Sequence, residues 1–268
     1  MSARLERIAR AAAGGIALAA AVALVGASRA APAAAQAVEG ELVLRLNIPA
    51  FRLDASVGGS LVLTVPVAVG ERRYATPVGD FTVERVVWNP WWIPPASAWA
   101  RDDTVTPPGP ENPMGKVKLL MRDAYYMHGT PYPVSIGRAL SHGCIRMRNE
   151  DAIALARLVM LHGESGAAAA TVDSLAGEML ETRDFALLRP VPVSIVYELA
   201  EVRGDSLVLH RDVYARRAGG RWAETLAALA RAGYDTLALD SARIGKALRS
   251  ARTRPVAVSV EELLREPL

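Results

Sequence analysis

A mainly β fold, with a helix following Cys144 and a small helical or α+β appendage at the C-terminal end, is predicted by three features of this 268-residue sequence. From Glu41 to Trp88 the chain reads as strands, because Leu61, Leu63, Val65, Val67 and Val69 alternate with the period of two that sets one strand face inward. Val117–Arg122, Tyr125–His128, Val191–Leu199 and Ser206–Leu209 repeat that pattern. Helical signals are confined to the segment after Cys144 and to the end of the chain.

Within the first β region, Gly58-Gly59 punctuates the start of the alternating run, and Thr76-Pro77-Val78-Gly79 has the proline and glycine of a turn before Phe81–Trp88 resumes as a strand. Residues 88–118 hold seven of the 17 prolines with Trp88, Trp91, Trp92 and Trp99. So much proline cannot enter a sheet interior, so a long ordered loop or flap is expected. The tryptophans read equally as cover for a core edge or as a functional surface. Asn149 should cap a helix over Glu150–His162, with Glu150 and Asp151 in its first turn and Gly163 as its stop. A second helix is expected near Val172–Glu181, and two more over Trp222–Ala232 and Ser241–Arg249. The catalytic unit is therefore bounded at 38–212, and 213–268 is read as a small C-terminal module.

Residues 1–37 read as a signal peptide: Arg4, Arg7 and Arg10 precede an apolar run from Ala11 to Ala27, and small residues follow to Ala37. That pattern predicts export to the periplasm or cell envelope, with membrane contact only through this signal or, left uncleaved, as an anchor. No cysteine lies near the run, which excludes lipid attachment there. The charge of +3 belongs to this segment, whose four arginines and one glutamate leave 27 basic and 27 acidic residues in the rest. A balanced chain without a dense basic run gives no case for nucleic acid as a partner.

Cys144 is the only cysteine, so no intramolecular disulfide forms. Lone cysteines are commonly buried and inert. Its neighbours argue otherwise, for His128-Gly129-Thr130 and Ser141-His142-Gly143-Cys144-Ile145-Arg146 bring a thiol, two imidazoles, flexible glycines and a cation into 19 residues. A histidine within reach can accept the thiol proton and lower its pKa. Gly143 permits a tight turn that presents backbone N–H groups to an oxyanion. Arg146 offers a two-pronged contact for a carboxylate. Spacing alone does not decide which histidine serves the thiol. His142 shares a strand with Cys144, where neighbours rarely converge on one reacting atom, whereas His128 closes the preceding strand and can stand opposite Cys144.

The run HGTPYPVSIGRALSHGCIRM resembles the signature of the L,D-transpeptidase catalytic domain, the YkuD fold. LRLNIPAFRL, ATPVGDFTV, WNPWWIPP, PPGPENPMGKVKLLM and RPVPVSIVYE are similar to that family's successive strands, turn, flap and closing strand, with a looser similarity through HRDVY at 210–214. The resemblance implies a β-sandwich in which Cys144 attacks the diamino acid–D-Ala bond of a peptidoglycan stem tetrapeptide, releases D-Ala and passes the acyl group to an amine. That amine would belong to another stem peptide, a lipoprotein lysine or a free D-amino acid, and water would make the protein a carboxypeptidase. By the same resemblance His128 is the base, held by the Gly129 carbonyl; the amides of Gly143 and Cys144 are oxyanion donors; His142 and Ser141 support the loop or the substrate; and Arg146 contacts a stem carboxylate. No metal or organic cofactor is implied. His128, His142 and Cys144 are also zinc-ligand types, but no HExxH stretch or fourth ligand accompanies them. A cell-wall binding protein without chemistry would have no use for the Cys/His pair. A serine-type penicillin-binding enzyme is excluded, because no lysine follows a serine by three positions.

Overall fold

The computed structural model describes residues 40–265 except 123, 124, 179, 217 and 218. The signal segment expected over 1–37 lies outside them. The described residues are mostly β, with a sheet core and four helices. Strands β1 (Leu42–Asn47), β2 (Arg52–Val57) and β3 (Ser60–Pro66) form a meander, and β4 (Val69–Gly70) follows. The alternating run Leu61–Val69 is thus two pieces, because Pro66 has no N–H for a ladder and ends β3. Leu61 lies on this edge strand, 53% exposed.

β5 (Gly79–Trp88) enters without the expected turn. Residues 75–78 are irregular, and Thr76 is buried with both its amide and its hydroxyl bonded elsewhere. After the proline-rich loop come β6 (Val117–Arg122), β7 (Tyr125–Thr130), β8 (Ala139–Ser141) and β9 (Ile145–Arg148), then helices α1 (Asn149–His162) and α2 (Ala169–Gly177) and the long strand β10 (Arg183–Val196). The strand order is β3-β2-β1-β10-β5-β6-β7-β9. β1/β10 and β7/β9 pair in parallel and the other neighbours antiparallel. The strands hydrogen-bond into this one sheet, and β10 joins β1 to β5 across an irregularity between Ala186 and Val191. β4 and β8 form a separate parallel pair.

One face of β6, β7 and β9 carries Val117, Leu119, Met127, Ile145 and Met147 into the core, and α1 covers it with Ala152, Leu155, Ala156, Val159 and Met160. The alternate residues must then point to the other face. Asn149 begins α1 without capping it: Arg148 holds the cap position, and Asn149 Oδ1 instead accepts the Lys116 N–H at 2.9 Å. That bond draws the loop end at Lys116 onto the start of α1.

A second core begins upstream of the boundary expected at Val213. β11 (Ala200–Arg203) and β12 (Ser206–Leu209) pair with each other and with β13 (Val256–Ser259). Against them pack α3 (Arg221–Arg231) and α4 (Ser241–Ser250), burying Leu207, Leu209, Leu229 and Ile244. The short strands 200–209 look in sequence like a continuation of the first sheet, but their apolar faces are covered by the C-terminal helices.

Candidate active site

The parallel pairing of β7 with β9 sets Met127 opposite Ile145 and His128 opposite Arg146. Cys144, one residue before β9, and Arg146 then share the face of His128, and Lys118 joins it from β6 in register with His128. Sequence reasoning placed His128 opposite Cys144; the register differs by two residues, but the face is the same. Tyr126, His128, His142, Cys144 and Arg146 line one cavity of about 720 Å³, roofed by the proline-rich loop through Trp92, Ile93, Pro95 and Trp99.

His128 is buried, and its Nδ1 lies 2.7 Å from the Gly129 carbonyl oxygen. A carbonyl only accepts, so Nδ1 carries the hydrogen and Nε2 is the basic nitrogen of the neutral ring. Burial pushes the His128 pKa down to about 4, and the positive charge of Arg146 adds to the effect, while the Gly129 and Met114 carbonyls act the other way. A Cβ on Gly129 would lie 2.2 Å from Asn149 Oδ1, so a larger residue there displaces the atom that holds Lys116.

Burial also raises the Cys144 thiol above its ordinary value, more than a Tyr126 backbone hydrogen bond and the Arg146 and Lys118 charges lower it. The expected depression of the thiol pKa is therefore not found. Both partners rest neutral, a state that suits proton transfer during attack rather than a preformed ion pair.

Ser141 is fully buried. Its Oγ donates to the Cys144 carbonyl and accepts the Gly143 N–H at 3.2 Å, closing a tight loop around Gly143, whose φ is 109°. The Gly143 amide is thereby bonded inside the loop. The Cys144 amide is the remaining candidate of the pair. His142 stacks on Trp99, ring centroids 4.0 Å apart and planes 3° from parallel, and meets the Tyr74 ring edge-on at 4.9 Å. It is a wall of the cavity fixed by aromatic contacts. Arg146 keeps its guanidinium toward the cavity, and among the described residues no carboxylate pairs with it.

The tryptophans divide between the two readings left open. Trp88 is fully buried and donates Nε1–H to Met160 sulfur, whereas Trp92 and Trp99 stack with each other and line the cavity. The loop that carries them is ordered by Asn112, whose amide donates to the Pro90, Thr106 and Pro107 carbonyls and whose Oδ1 accepts the Met114 N–H. Asn112 did not stand out in the sequence, since a buried asparagine that organises a loop has no local pattern, and Asn149 stood out only as a helix cap. Among the described residues no group of three or more His, Cys, Asp or Glu is arranged to hold a metal ion.

Residues 42–191 match the family model of the L,D-transpeptidase catalytic domain, YkuD. The chain belongs to that family. It is similar to the "Probable L,D-transpeptidase YbiS" of Escherichia coli K12, at 38% identity over 102 residues, 35% of this chain and 33% of that protein. It is also similar to the "Probable L,D-transpeptidase ErfK/SrfK" of Salmonella typhimurium LT2, at 35% identity over 115 residues, 40% and 37% of the two chains. The match thus spans about a third of the length of these curated relatives. Among solved structures, an L,D-transpeptidase from Mycobacterium tuberculosis H37Rv aligns with 58% of this chain and 57% of its own at 16% identity, with a TM-score of 0.36.

Proposed function

We propose that this L,D-transpeptidase family member transfers acyl groups between peptidoglycan stem peptides through a thioester on Cys144. The observation that carries the reading is one sheet face, in one cavity, presenting a thiol, a neutral imidazole whose tautomer is set by a carbonyl, and a guanidinium without a carboxylate partner.

As Sγ attacks the carbonyl carbon of the diamino acid, Nε2 of His128 takes the thiol proton, so neither group must ionise beforehand in a desolvated site. The Cys144 N–H faces the developing oxyanion. Collapse of the tetrahedral intermediate breaks the bond to D-Ala, and His128 returns the proton to the departing amine. An acceptor amine then attacks the thioester, His128 takes its proton, and the thiol is restored. Arg146 holds a stem carboxylate, the one charge for which its guanidinium is free in this cavity. Export to the periplasm or cell envelope belongs to the same reading and rests on the N-terminal segment; among the described residues no helix is long and apolar enough to cross a membrane.

Incubation with defined tetrapeptide muropeptides, followed by intact-mass and product analysis, tests this. A Cys144 adduct with release of D-Ala is expected, and Cys144→Ala should form none. Cross-linked dimers, D-amino-acid exchange products, a lipoprotein conjugate or free tripeptide identify the acceptor, and tripeptide alone makes the protein a carboxypeptidase. An adduct that persists in Cys144→Ala overturns the reading.

A further inference from the structure

Tyr214 lies beyond the residues that match the family, yet its hydroxyl reaches the cysteine loop through a buried chain of hydrogen bonds. Tyr214 OH donates to the Gly70 carbonyl at 2.8 Å and accepts the Thr76 N–H at 3.2 Å. Thr76 Oγ1 accepts the Gly70 N–H at 2.8 Å and donates to the Gly143 carbonyl at 2.9 Å. Thr76 and Tyr214 are 0% and 3% exposed, so these bonds do not compete with water. Tyr214 is itself fixed: its N–H donates to Tyr197 OH at 2.8 Å, Tyr197 OH donates to Asp212, and the two rings stack at 5.5 Å. Gly70 packs so tightly here that a Cβ would lie 2.0 Å from the Tyr74 carbonyl oxygen and 3.0 Å from Gly143 Cα.

The Gly143–Cys144 peptide is planar, so its C=O and the following N–H point in opposite directions. A hydroxyl that fixes the Gly143 carbonyl also aims the Cys144 N–H. We infer that Thr76, braced by Tyr214, is a positioning residue that orients the Cys144 amide for the oxyanion of acyl transfer, so that a residue of the HRDVY run, beyond residues 42–191, completes the site. The inference rests on the acyl-transfer reading above. A hydroxyl that merely filled core space would have no need of this particular acceptor, since Gly143 follows Ser141-His142 in the loop that carries the thiol.

Two rates on the same thiol separate positioning from packing. Alkylation by iodoacetamide attacks a saturated carbon and builds no oxyanion, whereas acylation by a carbapenem passes through one. Thr76→Val and Tyr214→Phe should alkylate as the parent does but acylate about ten- to a hundredfold more slowly, the scale of a displaced oxyanion donor. Thr76→Ser, which keeps the hydroxyl, should restore acylation. Should Thr76→Val fail to fold, Tyr214→Phe and Thr76→Ser still carry the comparison, with thermal midpoints as the check. Unchanged acylation in Tyr214→Phe, or an equal fall in both rates, overturns the inference alone. A parent protein that alkylates but never acylates overturns the acyl-transfer reading and this inference with it.

Discussion

His128 and Arg146 stand directly opposite each other across the parallel pair β7/β9, with the imidazole buried and the guanidinium turned to the same cavity. A permanent cation beside an imidazole opposes its protonation, and burial does so more strongly. The ring is therefore a neutral base throughout the physiological range, and the buried thiol is a neutral acid beside it. Acylation should rise with an apparent pKa of about 4 and stay level to the region where the thiol ionises. In His128→Gln the rate should instead climb only at alkaline pH, following the thiolate. Stopped-flow acylation across pH 4–10 checks this. A parent rate that rises steadily from pH 6 to 9 would take the base role away from His128.

The same depression links to stability. His128 titrates near 4 in the folded chain and near 6.5 when unfolded, so between those values the unfolded state binds more protons and stability rises with pH. The contribution is fully present above about pH 6.5 and is lost as pH falls towards 4. The difference corresponds to about 3 kcal/mol. Urea midpoints of the parent should fall between pH 7 and 4.5 by more than those of His128→Gln, which lacks the group. Parallel slopes would show that the imidazole is less buried than the structure has it.

How far these features can be read from the sequence depends on whether they are local. Val117–Arg122 and the run from Asn149 to His162 are legible because their periodicity and stop signals lie within the segment. Cys144, His128, Gly129 and Arg146 are legible through their residue types and close spacing. The burial of Ser141 is not legible, because it depends on Gly143 at φ 109° folding the loop back. Thr76 and Tyr214 are 138 positions apart, and no local pattern announces a hydrogen bond across that distance. The neighbours of strands 200–209 are not legible for a similar reason: alternation reports that a strand has an apolar face, not which core covers it.

Arg146→Ala should lower kcat/KM for stem peptides by about 1.5–3 kcal/mol, the range for a hydrogen bond to a charged group. Arg146→Lys should recover only part of it, because an ammonium cannot reproduce the two-pronged geometry. Removing the cation also relieves His128, so its apparent pKa should move upward. A truncated substrate lacking the carboxylate gives the control: it should be insensitive to Arg146→Ala. Equal losses on both substrates would assign this arginine to the architecture of β9.

His142 is held by ring contacts with Trp99 and Tyr74, which makes it a support for the roof of the cavity. His142→Ala should disturb the pH profile of thiol alkylation less than His128→Ala does, and its principal effect should fall on KM. Trp99→Ala should reproduce that KM effect, since it removes the same stack. If His142→Ala shifts the alkylation profile more than His128→Ala, the two histidines have exchanged roles.

The second core is tied to the first by a partly buried ion network. Arg52 on β2 grips Glu201 on β11 with two bonds, Nη1 to Oε1 at 2.8 Å and Nη2 to Oε2 at 2.6 Å, and its Nε reaches Asp54 at 2.9 Å. His210 Nε2 lies 2.8 Å from Glu201 Oε1, and Arg203 reaches Asp54 at 3.1 Å. Burial alone would raise both carboxyls, but their hydrogen bonds and the cations around them hold Glu201 and Asp54 below the usual carboxylate range. Their contribution to stability is therefore present above the unfolded carboxyl pKa and lost as pH falls through the folded values. Glu201→Ala leaves the Arg52 guanidinium largely desolvated without its main partner and should cost about 3 kcal/mol, the low end for breaking a buried pair because both side chains keep some exposure. Arg52→Ala should cost a similar amount, and the double variant little more than either, since the second loss removes a charge that has already lost its main partner. Urea denaturation of the four proteins at neutral pH measures the coupling, and strictly additive losses would mean that the two cores are held together by their apolar contacts and not by this pair.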